Sequence, residues 1–325
     1  MFAAQLGPDA DLPDWTAPPP PPGVVPLRPL TVGDILGGAF RAVRFNPPSM
    51  MGMTLVLMLG IQLLAALVAL AANAGAAGGL AFDFSQLTNF LETGDGAIAV
   101  ATGFGLVYGG NWLGTFLATA MLAYVVCEGV AGRRVKPREA VHRLWQRLGA
   151  TLAYGLLMLL ATTLIIGLGA GSVIAMMSSN YDGSGVGALI LLTLVFVALP
   201  VAWVLSVKLS FTVPAIAVEG LRPFAAIRRS WALTRGRFWR TFGIQFLASV
   251  IAQIAASVIS QVLSIVGLII STDNPTVAMV GVLAVSLLAS MLTLPLVAGV
   301  TALVYTDARI RGEGLDIELA EALAR

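Results

Sequence analysis

Residues 241–271 read TFGIQFLASVIAQIAASVISQVLSIVGLIIS, a run of 31 residues without a single Asp, Glu, Lys or Arg. A helix of about 20 predominantly apolar residues is long enough to cross the hydrocarbon core of a bilayer. This stretch therefore predicts a membrane-spanning helix. Five more apolar stretches occur along the chain, at residues 49–74, 98–127, 148–178, 187–216 and 276–305. The sequence predicts an all-α integral membrane protein with six transmembrane helices.

The overall composition supports this class and excludes several others. Only 11% of the 325 residues are charged, whereas soluble domains have about 25%. The single cysteine, Cys127, excludes a disulfide framework and a cysteine-ligated metal cluster within one chain. The single histidine, His142, excludes a site with several histidine ligands. The sequence predicts no cofactor and no metal.

The basic residues mark one side of the predicted membrane. All nineteen Lys and Arg residues fall in four clusters, Arg28–Arg44, Arg133–Arg147, Lys208–Arg240 and Arg309–Arg325. The alternate connections contain none, at residues 75–97, 179–186 and 272–275. Because basic loops stay on the cytoplasmic side, both termini are predicted to be cytoplasmic. The excess of Arg over Lys, with abundant Ala and Gly, is typical of GC-rich bacteria, so the predicted location is a bacterial plasma membrane.

Three segments are predicted from the distribution of proline, charge and apolar residues. Residues 1–29 are predicted to form a disordered, Pro-rich cytoplasmic arm, residues 30–305 the six-helix membrane domain, and residues 306–325 a cytoplasmic tail. Residues 31–46 carry apolar side chains at helical spacing, with Thr31 as a capping residue. They predict a short amphipathic helix in the membrane interface, with its apolar side towards the headgroups.

Two of the basic segments match each other at identical spacing from a proline. One contains Pro137, Ala140, Val141, Arg143 and Trp145, and the other contains Pro223, Ala226, Ile227, Arg229 and Trp231. Each follows an acid at the end of a predicted span, Glu128 or Glu219, and the sixth span ends in the same way with Asp307. The sequence predicts three parallel pseudo-repeats, at about residues 31–130, 137–220 and 223–311, each with an interfacial helix and two spans.

The repeated helices place Trp and Arg beside the predicted spans. Trp favours the headgroup level, and Arg extends from there towards the phosphates. Seven residues are predicted to be lipid-facing anchors: Arg143, Trp145, Arg228, Arg229, Trp231, Arg237 and Trp239. The predicted partners are membrane lipids with anionic headgroups. A protein partner at the cytoplasmic face and a homo-oligomer are left open, and no nucleic acid is expected.

Four charged residues at or near membrane depth are the candidate functional polar residues: Lys208, Glu128, Glu219 and Asp307. A charge inside a membrane is a functional candidate by default. Lys208 either is buried and pairs with Glu219 or Glu128, or extends to the inner boundary of the membrane. The three acids either form a ring that binds a cation or pair with the arginines that follow them. No catalytic residue is predicted.

The second predicted span has small residues at a spacing of four: Gly105 and Gly109, then Gly110 and Gly114. Small residues at this spacing let two helix backbones approach closely. They predict tight packing of this span, within the chain or across a dimer.

Three segments together resemble a known family. They are PLTVGDILGGAFR at residues 29–41, EGLRPFAAIRRSWALTRGRFWR at residues 219–240, and YTDARIRGEGLDIE at residues 305–318. They resemble the membrane domain that precedes some glycerophosphodiester phosphodiesterases and the related stand-alone actinobacterial proteins. The resemblance covers roughly residues 28–320. The catalytic barrel of those enzymes is expected to be absent, so the resemblance does not imply their activity.

The expected function is that of a non-enzymatic multi-pass membrane protein with a scaffold or accessory role in bacterial envelope or lipid physiology. The alternative is a transporter or channel for a lipid or small molecule. Lipid chemistry at the inner boundary would have to use Glu128, Glu219 and Asp307, and is the least favoured interpretation.

Overall fold

The computed structural model describes residues 23–26, 28–73, 94–177, 196–197, 200–270 and 275–314. Residues 1–22 of the predicted arm, residues 315–325 of the predicted tail and most of the predicted outer connections lie outside this range. The described residues form eight helices, which we number in chain order: α1 Val32–Phe45, α2 Met53–Asn73, α3 Gly94–Val130, α4 Pro137–Met177, α5 Pro200–Glu219, α6 Pro223–Thr234, α7 Phe238–Ile270 and α8 Pro275–Glu313. A π-helical turn, Pro48–Gly52, precedes α2, and α5 ends in a second one, Ala215–Glu219.

Five of these helices are long and apolar enough to cross a membrane, with spans at Gly109–Val130, Pro137–Ile165, Pro200–Glu219, Phe238–Val262 and Ala284–Glu313. A sixth span is counted if α1 and Pro48–Leu64 are taken together, although these two pieces meet at an angle of 91°. The described part of the chain contains no β-strand. The prediction of an all-α membrane fold is confirmed, with five or six candidate spans.

The spans form an inner and an outer layer. In the most apolar window of each span, 61% of the residues are buried in α3 and 44% in α5 and α8, but only 17% in α4 and α7. The helices α3, α5 and α8 therefore form the centre of the bundle, and α4 and α7 lie outside. Inner and outer spans alternate along the chain, as they would in parallel repeats. The threefold repeat itself stays a prediction.

The first helix begins where the sequence predicts. The Thr31 side chain accepts the Asp34 N–H, and the Asp34 carboxylate accepts the Thr31 N–H at 3.0 Å, which is a capping box. Part of the apolar face of α1 packs on protein. Ile35 and Ala39 are buried, and a Cβ added to Gly299 of α8 would lie 3.3 Å from the Ala39 Cβ, so small residues let α1 dock on α8. Val32 and Phe40 on the same face are 41% and 54% exposed, and contact of this side with lipid headgroups stays a prediction.

The segment that precedes α1 is ordered and packed. Val24, Val25 and Leu30 are all buried, and the Val24 N–H donates to the Gly129 carbonyl at 3.0 Å. Burial of these apolar side chains stabilises the position of the segment against α1 and the end of α3. Val24 and Val25, which fall within the predicted arm, are therefore packed against the bundle, and the extent of the arm itself stays a prediction.

The two matched segments differ in one respect. Pro137 opens a helix of 41 residues that continues into the span without interruption. Pro223 opens α6, which has 12 residues and stops before α7. The reason is Gly236, whose φ of 79° lies in the left-handed region that terminates helices. The first segment has Ala150 at the corresponding place, and no turn forms there.

The fourth span is broken near its middle by a side chain from α6. The helix is interrupted at Ser210 and Phe211. The Phe211 N–H donates to Ser230 Oγ at 3.1 Å, and the Ser230 hydroxyl donates to the Lys208 carbonyl at 2.7 Å. The Ser230 hydroxyl thus replaces a backbone hydrogen bond of the helix. Insertion of a side chain in this way is a recognised cause of helix kinks. The substitution keeps these backbone groups paired, as the interior of a membrane requires.

We expect Ser230→Ala to destabilise the protein by about 1–3 kcal/mol, because a buried N–H and a buried carbonyl lose their partner. The measurement is the free energy of unfolding in detergent. Ser257→Ala is the matched control, because the exposed Ser257 hydroxyl bonds only to the Ile254 carbonyl of its own helix. Equal stability of the two variants would contradict this role of Ser230.

Candidate functional site: the basic face

One end of the bundle carries almost all the charge of the described structure, and we call it the basic face. It consists of α1, α6, the final turns of α3, α5 and α8, and the first turns of α4 and α7. Every Lys and Arg of the chain except Arg325 is described. Only six acidic side chains are described with them: Asp34, Glu128, Glu139, Glu219, Asp307 and Glu313. The described part of this face is therefore strongly positive.

Asp307 is the most buried of the acids, with 3% of its side chain exposed. It accepts the Leu30 N–H at 2.8 Å, Arg240 Nη2 at 3.0 Å and Arg311 Nε at 2.9 Å. Both arginines also donate to the Leu30 carbonyl, at 2.6 and 3.0 Å. Asp307 thus ties the segment before α1 to the ends of α7 and α8, and its buried charge is fully paired.

Glu219 forms a second ionic cluster at the end of α5. It accepts Arg229 Nη2 at 3.0 Å and the Tyr305 hydroxyl. Arg229 also binds Glu313, which in turn accepts Arg309 Nε at 3.1 Å. The hydrogen bonds to Glu313 and then to Glu219 raise the pKa of Arg229. This cluster joins α5, α6 and α8 through a single guanidinium group.

Glu128 belongs to a third cluster, which is more exposed. Arg133 Nε lies 3.3 Å from Glu128 Oε2, and Arg133 also binds Glu139 at the start of α4. Tyr124 donates to the same Glu139 at 3.2 Å. Because 57% of the Arg133 side chain is exposed, this cluster stabilises the fold less than the other two.

The three acids are linked through consecutive residues of α8, not through each other. Tyr305 bonds to Glu219, and the Thr306 hydroxyl lies 3.8 Å from the sulfur of Cys127, the neighbour of Glu128. Among the described residues, no three His, Cys, Asp or Glu side chains come close enough to hold a metal ion together. Each acid is paired with its own arginine. The geometry therefore corresponds to the ion-pair alternative and not to a ring of free carboxylates.

Lys208 is half-buried on α5 beside the break, and it faces aromatic rings. Its Nζ lies 4.4 Å from the centre of the Trp231 ring and 6.0 Å from that of Phe238. Within the described residues it has no ion pair, because Glu219 is bound to Arg229 and Glu128 to Arg133. Neither sequence alternative anticipated this cation–π contact.

Three of the seven predicted anchors lie at the surface as expected. Trp145 is 73% exposed, Trp239 is 78% exposed, and Arg228 is exposed. Trp231 is 43% exposed and also supports Lys208. These positions fit side chains that meet lipid headgroups.

The other three predicted anchors turn inward. Arg229 binds two carboxylates, and Arg143 lies over the Tyr124 ring at 5.5 Å. Arg237 donates to the carbonyls of Ala308 and Arg311, both at 3.0 Å, and so caps the end of α8. The helical spacing of Arg229 and Arg143 could have indicated their inward position. Each lies three residues after a fully buried alanine, Ala226 or Ala140, and therefore on the packed side of its helix.

Seven basic residues form no hydrogen bond, salt bridge or ring contact in the described structure, and all seven are exposed: Arg41, Arg44, Lys136, Arg138, Arg222, Arg228 and Arg235. They belong to α1, to the start of α4, and to α6 with its flanking residues. The paired arginines stabilise the bundle end. The unpaired ones present a cationic surface next to the apolar spans.

The predicted packing glycines lie in α3. A Cβ on Gly114 would lie 3.1 Å from Ile61 Cδ1 and 3.2 Å from Met58 Sδ. A Cβ on Gly109 would lie 4.0 Å from Leu159 Cδ2, an ordinary contact. Gly114 thus lets α2 and α3 approach closely within one chain. The surroundings of Gly105 and Gly110 lie outside what the structure describes.

A cavity of about 340 Å³ lies at membrane depth, away from the basic face. It is lined by α3, α4 and α5, with one residue, Thr301, from α8. Lys208 does not line it. Its size falls within the range of ligand-binding pockets.

Residues 186–318, which include α5 to α8, match the family model described as the membrane domain of glycerophosphoryl diester phosphodiesterase. The resemblance seen in the sequence is confirmed for this part of the chain. No curated protein and no solved structure matches the chain.

Proposed function

We propose that this protein, which carries a membrane domain of the glycerophosphodiester phosphodiesterase type, acts without catalysis as a scaffold or accessory protein in a bacterial plasma membrane. Its basic face would look into the cytoplasm and bind anionic lipid headgroups. The proposed topology follows from the distribution of Lys and Arg. The envelope or lipid physiology of the bacterium is the proposed setting.

The observation that carries this proposal is the division of the basic residues into two groups. One group binds carboxylates, carbonyls and aromatic rings within the bundle. The other group, seven exposed cations, has no such partner among the described residues. Cations that are neither paired nor buried at a membrane boundary attract anionic headgroups. On α6 the inward Arg229 follows directly after the outward Arg228, and near the start of α4 the inward Arg143 follows Arg138, so the inward arginines hold these outward ones in place.

Exposed aromatic rings beside these cations support a lipid-facing role. Phe224 is 79% exposed, next to Arg222, and Trp239 is 78% exposed at the start of α7. Trp145 is 73% exposed in the first turns of α4. Large rings at such exposure suit the interface between headgroups and acyl chains.

The proposal assigns no catalytic step to the three boundary acids. Glu219 and Asp307 are engaged by arginines in the bundle end, and Glu128 is paired with Arg133. Among the described residues, no group of three His, Cys, Asp or Glu side chains could hold a metal ion.

The test compares lipid binding by two fourfold variants with that of the unmodified protein. In one, Arg138, Arg222, Arg228 and Arg235 are replaced by Gln, and in the other by Lys. Each cation near an anionic surface contributes about 1 kcal/mol, so the Gln variant should bind phosphatidylglycerol at least tenfold more weakly. Native mass spectrometry of the detergent-solubilised protein gives the dissociation constants.

Phosphatidylcholine is the control lipid, and its binding should be the same in all three proteins. The Lys variant should keep most of the affinity for phosphatidylglycerol, because it keeps the charge. Equal binding of phosphatidylglycerol by the Gln variant would overturn the proposal. If the Gln variant instead lost a stoichiometric protein partner more strongly than it lost phosphatidylglycerol, that protein and not the lipid headgroup would be the ligand of the basic face.

A transporter for a lipid or small molecule is the second candidate function. The broken fourth span and the cavity beside it favour it, because transporters place their sites at interrupted helices. Transfer of a fluorescent phospholipid between the leaflets of reconstituted vesicles distinguishes the two. A rate above that of empty vesicles, abolished by filling the cavity, would support transport over scaffolding.

A further inference from the structure

The cavity at membrane depth is built around the break in α5. Residues on both sides of the break line it, among them Leu209, Ser210 and Val213. Trp112 and Phe116 of α3 form the opposite wall. Non-helical backbone is tolerated at membrane depth only where protein covers it or where it lines a cavity. The break and the cavity are therefore parts of one feature.

The hydroxyl groups of the cavity wall already have partners, whereas the buried Trp112 Nε1 has none among the described residues. The Tyr154 hydroxyl donates to the Leu209 carbonyl at 3.2 Å, a carbonyl next to the break. The Ser210 hydroxyl donates to the Val207 carbonyl at 2.8 Å, and the Ser206 hydroxyl to the Trp203 carbonyl at 2.7 Å. The hydroxyls of the four lining threonines donate to carbonyls four residues earlier in their own helices: Thr115, Thr119, Thr162 and Thr301. The lining contains no charged residue, so an ionic ligand would find no charged partner here.

The cavity continues towards the outer surface of the bundle. A shallower groove between α4 and α5 shares Thr162, Ala202 and Ser206 with it, and also contacts Pro200 and Trp203. The apolar ring of Trp203, which lines the groove, is 53% exposed. Side chains of this kind at membrane depth face lipid. The groove therefore connects the cavity to the acyl-chain region of the bilayer.

We propose that one acyl chain of a membrane phospholipid enters through this groove and occupies the cavity, where it packs against the break in α5. The chemistry of the cavity identifies the occupant. The wall is largely apolar and carries no charge, its hydroxyl groups are already hydrogen-bonded, and the cavity opens laterally into lipid. The chain would fill the space that the interrupted helix leaves between α3 and α4. The bound lipid is a structural part of the bundle and is distinct from the lipids attracted by the basic face.

This inference does not rest on the proposed function, because a zwitterionic lipid serves as the probe. The protein is purified in a sterol-based detergent, which has no alkyl chain to fill the cavity. Its thermal unfolding midpoint is then measured with increasing phosphatidylcholine. A ligand that binds only the folded state raises the midpoint. We expect a saturable rise in the unmodified protein.

Ala202→Phe fills the cavity with a ring, and Ala153→Phe places the same ring on the exposed surface of α4. We expect the first variant to lose at least half of the lipid-dependent rise and the second to keep it. If Ala202→Phe does not fold, Ala202→Leu is used, with the same expectation in smaller degree. Equal rises in all the proteins would overturn the inference, as would a rise produced only by phosphatidylglycerol.

Discussion

Replacing Asp307 by Ala is expected to lower the free energy of unfolding by about 3 kcal/mol, one of the two largest effects in this protein. The carboxylate is almost wholly buried and bonds to two guanidinium groups and one backbone N–H. Removal of one partner from a buried ion pair leaves uncompensated charge and typically costs about 3–5 kcal/mol. The lower end applies because the Arg240 and Arg311 side chains are 35% and 31% exposed, so that water solvates them in part.

The consequence should be local as well as global. Asp307 holds Leu30 by its N–H, while both arginines hold the Leu30 carbonyl. We therefore expect the segment before α1 to become accessible to protease in Asp307→Ala at temperatures where the bundle is still folded. Asp307→Asn keeps one acceptor for the Leu30 N–H and should show an intermediate loss.

Glu139→Ala serves as the control for Asp307→Ala. It removes a carboxylate from the same face, but 42% of that side chain is exposed. An exposed pair of this kind contributes between 0 and about 1 kcal/mol. If the Asp307 and Glu139 variants were equally stable, burial would not be what gives Asp307 its role.

Most of the helical architecture could be predicted from sequence because apolar length is a strong signal. The run at residues 241–271 corresponds to α7, which ends at Ile270. The prediction ended the sixth span at residue 305, whereas α8 continues to Glu313. Charges ended the predicted span, but Asp307 and Arg311 lie one helical turn apart and bond to each other within the helix. A charge at the end of a span does not end the helix when its partner lies on the same helix.

The side chains at the basic face were harder to predict, because sequence does not show which arginines meet a carboxylate from another helix. Arg229 binds Glu313, which is 84 residues away, and Arg240 binds the Leu30 carbonyl, 210 residues away. The pattern of Pro, Ala, Arg and Trp correctly placed Trp145 at the surface. The same pattern also predicted Arg229 as a surface anchor, but in the structure Arg229 points into the bundle. Long-range pairing, not local pattern, decides between an anchor and a structural residue.

The division between paired and unpaired arginines explains how this face can be both rigid and cationic. Arginines at the ends of α5 and α8 satisfy the carbonyls and acids that terminate these helices, as Arg147 does for the Gly220 carbonyl at 3.2 Å. Those groups cannot also bind a headgroup. The exposed basic residues have no such structural role, and we expect the bundle to stay folded when they are replaced.

Arg229→Gln and Arg228→Gln test this division at adjacent positions, with the same change in charge. We expect Arg229→Gln to lower the free energy of unfolding by about 3 kcal/mol, because it separates Glu219 and Glu313 from the guanidinium that joins them. Arg228 is exposed and has no partner in the described structure. Its replacement should change stability by no more than about 0.5 kcal/mol.

Lipid binding should show the reverse order. Measured at a temperature where both variants are folded, Arg228→Gln should bind phosphatidylglycerol several-fold more weakly, in keeping with about 1 kcal/mol for one cation at an anionic surface. Arg229→Gln should bind it nearly as well as the unmodified protein, because that guanidinium is already neutralised by two carboxylates. If Arg229→Gln lost more lipid affinity than Arg228→Gln, the inward cluster would itself be the headgroup site, and the separation of structural from lipid-binding arginines would not hold.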